Sequence, residues 1–171
     1  MPTVSELITR GNRLIDDTFD NINWVDWFNQ CQNEDLADII YLPTKTTLTK
    51  NNEGFFVLPD DYKDSLIIRT EGVTANLIGN ELEVEDNNID ELDIIYNKIP
   101  TKIENIADQV PDIPEQFHDV YIFYGAKMAM LVDEEHERYN FFNAEYLNSK
   151  LSLKKYMDKR RIRPSRWQVI R

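Results

Sequence analysis

Only two histidines occur in the chain, and both stand in spacings that can ligate metal. Glu115-Gln116-Phe117-His118 is E-x-x-H, and Asp133-Glu134-Glu135-His136 is D-x-x-H. Set on separate helices among further carboxylates, such motifs assemble di-metal sites in four-helix proteins, so a di-metal carboxylate enzyme using Glu115, His118, Asp133 and His136 is one reading. Spacing speaks against it. The motifs lie 18 residues apart, about 27 Å along a continuous helix. If the chain folds back at Asp133, both fall at helix ends, where charged side chains are ordinarily solvated. Asp86-Asn87-Asn88-Ile89-Asp90-Glu91 has the opening of a calcium loop. Glu91 replaces the glycine that its sixth position needs, however, and Asn97 replaces the bidentate glutamate of its twelfth, which leaves a polar turn. Nucleophile elbows, phosphate loops, dinucleotide fingerprints and Cys/His dyads are missing, and five scattered glycines form no anion cradle. No catalytic residue, metal or cofactor is expected.

Charge is the stronger signal. With 31 acidic and 19 basic residues the net charge is −12, which opposes a body that grips phosphate backbones. Residues 149–171 nevertheless hold nine bases, Lys150, Lys154, Lys155, Lys159, Arg160, Arg161, Arg163, Arg166 and Arg171, against one acid, Asp158. An acidic body with a basic end is therefore the main polarity of the molecule. Trp167, Val169 and Ile170 set apolar contacts among those arginines, a composition typical of interface anchors and of segments that order on binding. The single cysteine, Cys31, excludes an internal disulfide framework and fits a reducing compartment. Met1 to Glu6 lacks the basic and apolar regions of a secretory leader, and no run approaches the roughly 18 apolar residues of a membrane helix. A cytoplasmic protein in contact with no membrane is expected.

The elements that must position these groups follow from periodicity. Val4, Leu7, Ile8, Leu14 and Ile15 give a first amphipathic helix over residues 3–17, capped by Thr3 or Ser5 and weakened at Gly11 by about 1 kcal/mol relative to alanine. Trp24, Trp27, Phe28, Cys31, Leu36, Ala37 and Ile40 give a second over 24–40, ended by Pro43. Residues 44–96 change to strand grammar. Thr44–Thr49 and Phe55–Leu58 flank an Asn-rich turn and read as a hairpin, Ser65–Thr70 is a further apolar run, Glu81–Glu85 alternates with period two, and Leu92–Tyr96 closes a small antiparallel sheet of four to six strands. Phe117 to Val132 is apolar on most sides and belongs in the middle of a bundle. Tyr139, Phe142, Tyr146, Leu153 and Tyr156 continue at helical spacing to about Met157. Trp24, Trp27, Phe28, Tyr121, Tyr124 and Tyr139 are assigned to the core. The expected fold is α+β but mainly α: an antiparallel helical bundle with an inserted small antiparallel β region and an extended C-terminal tail. Its parts are an N-terminal helical pair (1–43), the β region (44–98), C-terminal helices (99–157) and the basic tail (158–171).

The order of several segments resembles the head-to-tail adaptor, or connector, proteins of tailed bacteriophages. They are Val4-Ser5-Glu6-Leu7-Ile8, Trp24-Val25-Asp26-Trp27-Phe28-Asn29, Leu36-Ala37-Asp38-Ile39, Phe56-Val57-Leu58-Pro59-Asp60-Asp61-Tyr62, Ile94-Ile95-Tyr96-Asn97-Lys98-Ile99-Pro100 and Pro111-Asp112-Ile113-Pro114-Glu115-Gln116-Phe117-His118-Asp119. The resemblance implies a structural virion protein without catalytic residues, made in the host cytoplasm and placed at the portal–tail junction. It implies a ring of twelve subunits joining the portal protein to the next tail component, with DNA passing through the lumen without sequence-specific binding. A stopper or tail-completion protein is the alternative from the same setting. In that family C-terminal segments reach the portal. The role falls here on Lys154, Lys155, Lys159, Arg160, Arg161, Arg163, Arg166, Trp167, Ile170 and Arg171, as a portal or subunit interface. The chain departs from compact all-helical adaptors in the size of its strand region.

Overall fold

The computed structural model describes residues 1–85 and 88–161. The chain divides into two compact units, a helical one built from Met1–Ile40 with Pro100–Arg160 and a β unit containing Tyr41–Ile99.

In the helical unit, helix α1 (Val4–Ile15) begins in a capping box: Thr3 Oγ1 accepts from the Glu6 amide, and the Glu6 carboxylate accepts from the Thr3 amide at 3.0 Å. Two of the donors that every helix start leaves over are thereby satisfied. Helix α2 (Asn21–Gln30) widens at its end into a π-helical turn, Cys31–Asp35. The second helix is therefore shorter than the apolar spacing to Ile40 implied, and Leu36 and Ile40 are buried from the turn that follows it. A 3-10 turn, Glu115–Phe117, leads into α3 (Asp119–Val132), and a three-residue turn at Asp133–Glu135 reverses the chain into the 25-residue α4 (His136–Arg160). Helix α3 packs against α1, α2 and α4 alike, the central place that its apolar faces predict.

Trp24 fixes how closely these helices meet. Its indole is fully buried, and a Cβ placed on Gly11 of α1 or Gly125 of α3 would stand 2.4 Å and 2.2 Å from its ring carbons. Its Nε1–H donates to Asn12 Oδ1 at 2.8 Å. The glycine that weakens α1 on propensity is thus the slot that receives the largest side chain of the core. Phe28 lies 5.7 Å from Trp24 and 5.5 Å from Tyr121, extending the aromatic cluster.

The β unit holds two three-stranded antiparallel sheets. Strands β1 (Pro43–Thr49), β6 (Glu91–Lys98) and β3 (Tyr62–Ile68) form one in the order β1-β6-β3, and β2 (Phe56–Val57), β5 (Glu81–Val84) and β4 (Ala75–Ile78) form the other in the order β2-β5-β4. Period-two alternation puts Leu92, Ile94 and Tyr96 of β6 and Leu82 and Val84 of β5 into one core with Leu48, Phe56, Leu58 and Ile68.

These facts correct the expected fold. The described structure is 43% helical and 20% strand, with four helices and two sheets, a mixed α+β fold in place of a helical bundle carrying a small insert. The reason is that residues 41–99 bury a core of their own, which helical periodicity elsewhere in the chain does not reveal. The expected hairpin of Thr44–Thr49 with Phe55–Leu58 does not form. Thr44 pairs with Tyr96 and Phe56 with Leu82, so the two strands belong to different sheets. Asp158, Lys159 and Arg160, expected in the extended tail, are instead the last residues of α4. Arg163, Arg166, Trp167, Ile170 and Arg171 lie outside the described residues, as do Asp86 and Asn87 of the calcium-like run.

Candidate functional site

The described part of the basic end is the last three turns of α4, held by its other face. Phe142, Tyr146, Leu153 and Met157 recur at helical spacing and are buried. Tyr156 lies against Phe117 of the 3-10 turn, ring centres 4.8 Å apart, and the Arg160 guanidinium lies 4.7 Å over the Tyr156 ring. Stacking on an aromatic face restrains an arginine while leaving its fork exposed. Lys154, Lys155, Lys159, Arg160 and Arg161 are all exposed. Of the ten expected interface residues, four thus fall together on the end of α4 and Arg161 directly follows it, with the other five outside the described residues.

One turn earlier, α4 is tied to the π-helical turn by a polar cluster. The Tyr146 hydroxyl donates to Asp35 Oδ2, and Lys150 Nζ stands 3.5 Å from the same oxygen. Lys127 of α3 places its ammonium 4.2 Å from the ring centres of both Tyr124 and Tyr146, a cation held between two π faces. Burial acts to raise the Asp35 carboxyl, but the Tyr146 hydrogen bond and the charges of Lys150 and Lys127 outweigh it and hold it below the usual carboxylate range. Burial pushes Lys127 down, against the pull of Asp35. Burial, with the nearby Asp35 charge, pushes Tyr124 up to about 12 and drives Tyr146 higher still. Burial and Asp35 also drive the Cys31 thiol up, which keeps it protonated and a poor nucleophile. The cluster ties α4 and α3 to the π-helical turn. Beneath it, Gln32 donates to the Thr101 carbonyl at 3.0 Å and accepts from the Tyr121 hydroxyl at 3.1 Å, so two buried polar side chains satisfy each other.

The histidines are not brought together. His118 is buried at the start of α3, where its Nε2–H donates to the Ile113 carbonyl at 2.8 Å and its Nδ1 has no partner. A carbonyl can only accept, which fixes this tautomer. Burial pushes the imidazole pKa down despite the nearby charges of Glu115 and Asp119. His136 is exposed at the far end of α3, whose 14 residues put about 21 Å between the motifs. Among the described residues no group of three His, Cys, Asp or Glu side chains can hold a metal ion. On the outer face of β1 and β6 an open cleft of about 270 Å³ is lined by Lys45, Thr47, Arg69 and Asp93, with the Thr47 hydroxyl donating to Asp93 at 2.7 Å.

Of the residues assigned to the core, Trp24, Phe28, Tyr121 and Tyr124 are buried, while Trp27 and Tyr139 are half-buried. Sequence reasoning missed the Asp35–Tyr146–Lys150–Lys127 cluster, since its members come from three separate segments and share no local spacing. It also missed a second apolar row on α4, formed by Leu147 and Leu151, although their separation of four residues was a readable signal. No helix among the described residues is long and apolar enough to cross a membrane. No family model and no curated protein matches this chain.

Proposed function

We propose that this protein is a structural component of a tailed-phage particle, a head-to-tail connector whose copies form a ring between the portal and the next tail component. It works through shape and complementary surfaces, and its side chains make and break no bonds. The observation that carries the reading is the polarity of α4. The helix is braced along one side by α3 and the π-helical turn, and it holds four exposed cations, with Arg161 directly after them, in a chain that is otherwise strongly acidic. Such a rod presents the exposed cations at its end to an acidic partner in a fixed direction, and the proposed partner is the portal. A lumen lined by the acidic body lets DNA slide without releasing counterions, because phosphate meets like charge.

The test is capture by purified portal. A chain ended after Arg161 keeps α4 whole and should fold as the full chain does, by circular dichroism, yet fail to be captured. Charge reversal at Lys159, Arg160 and Arg161 in the full chain should weaken capture and steepen its loss with salt. Normal capture of both variants defeats the assignment of the basic end to the portal.

A further inference from the structure

Helix α4 carries two apolar rows, and α3 covers only one. Tyr146 and Leu153 are buried, whereas Leu147 is 52% exposed and Leu151 50% exposed. Leu147 lies one residue past Tyr146, about 100° further round the helix, and Leu151 follows it one turn on. Lys154 and Lys155 stand three and four residues beyond Leu151 and therefore continue the same face, with Asp158 as the lone acid there. Single exposed leucines are ordinary on a protein surface. Two in succession leading into two lysines make a docking face of apolar centre and basic rim.

The other end of the α3–α4 hairpin has the same build with the opposite sign. Leu131 and Val132 are 51% and 62% exposed, and Asp133, Glu134, Glu135 and Glu137 follow them, all exposed. Glu135 has Arg138 at 3.0 Å, which leaves a surplus of acid at the tip. From Glu137 to Lys154 the two patches are separated by about 25 Å of helix.

We infer that the Leu147–Leu151–Lys154–Lys155 face of α4 binds a second copy of this chain, at that copy's acidic hairpin tip around Leu131, Val132, Glu134 and Glu137. Apolar side chains meet at the centre and opposite charges at the edge. The net charge of −12 opposes indiscriminate clustering, so only approaches that align these patches are favoured. The two surfaces differ, which makes the contact heterologous: each copy offers a free tip and a free face, and the contact repeats until a rotation closes it. The inference rests on the connector reading for closure into a ring and names the subunit contact of that ring. Lys154 and Lys155 then serve the neighbouring copy, leaving Lys159, Arg160 and Arg161 to the portal.

The test is sedimentation velocity of the full chain over a concentration series, with two charge-reversed variants, K154E/K155E and E134K/E137K, and the surface variant L147D/L151D. All the changed side chains are exposed, and circular dichroism checks that each variant folds. The wild type is expected to associate as concentration rises, and each variant to require about tenfold more protein or greater for the same association. An equal mixture of the two charge-reversed variants should regain the wild-type behaviour, because every contact between unlike variants again joins opposite charges. A wild type that stays monomeric to about 1 mM, variants that associate as the wild type does, or a mixture no better than its parts overturns the contact. Capture by portal is measured on the same samples. Normal capture of a chain that never self-associates defeats this contact alone, and loss of capture by the wild type defeats the connector reading.

Discussion

In the helical unit the largest buried side chain, Trp24, meets two helices at points where they have no side chain, Gly11 and Gly125. In the β unit Leu82 sits across from Phe56 on one neighbouring strand and Leu77 on the other, inside a wholly hydrophobic cluster. The first interior is specified by a shape that admits one solution, with hydrogen bonds at Asn12, Gln32 and Asp35 fixing the register of its parts. The second is specified by alternation and by volume. Interiors of the second kind tolerate repacking, whereas those of the first kind fail at single atoms.

Adding one methyl group at Gly125 should therefore cost more than removing three carbons from the β core. Gly125→Ala is expected to destabilise the protein by about 4 kcal/mol, above the roughly 1–3 kcal/mol usual for overpacking, because the added Cβ would stand 2.2 Å from a ring carbon of Trp24. Chemical denaturation followed by indole fluorescence reads it, and pairing the change with Trp24→Leu should recover a good part of the loss. Leu82→Ala should cost about 3 kcal/mol, the usual cavity penalty for a buried leucine. If Leu82→Ala proves the more damaging of the two, the contrast drawn between the units is wrong.

A smaller effect sharpens the polar side of the comparison. Tyr146→Phe keeps the ring edge-to-face with Tyr124 and under Lys127 but takes the hydroxyl from Asp35. It should cost about 1.5 kcal/mol, with Lys150 and solvent left to satisfy the carboxylate. A loss near zero in urea unfolding would show that packing alone holds α4 to the π-helical turn. The smallest effect is one of pH. His118 is neutral in the folded chain with its pKa pushed down by burial, while an unfolded histidine titrates near 6.5. Below that value the unfolded state binds the extra proton, so stability should fall as pH drops from about 6.5 towards 5 and stay level above it. His118→Gln, which can still donate to the Ile113 carbonyl, should flatten that slope. An unchanged slope would assign it to other groups.

How much of this was legible in the sequence depended on whether a signal was local. The capped start of the first helix, the central place of residues 119–132 and the strands at Glu81 and Leu92 all arise from spacings within one segment, and each could be read. The pairing of Thr44 with Tyr96 spans 52 residues and depends on which strands share a sheet, which alternation does not encode; nearness in sequence points to Phe55–Leu58, which is the wrong partner. The π-helical turn likewise follows from tertiary ties, Gln32 to Thr101 and Asp35 to Tyr146, that override the helical spacing of Leu36, Ala37 and Ile40. At the candidate site, composition alone revealed the basic end of α4, because charge counts need no fold. The adjoining Leu147 and Leu151 went unmarked, since spacing on a helix with apolar residues on two sides does not say which side a neighbour covers.

The slot around Trp24 bears on descent as well as on stability. Positions 11, 24 and 125 share one volume, so a lineage that acquires a side chain at either glycine must shrink the residue at 24 in step. The three should drift as a single character, long after the charged exterior has been rewritten. They form a compact signature by which remote kin of this chain can be sought.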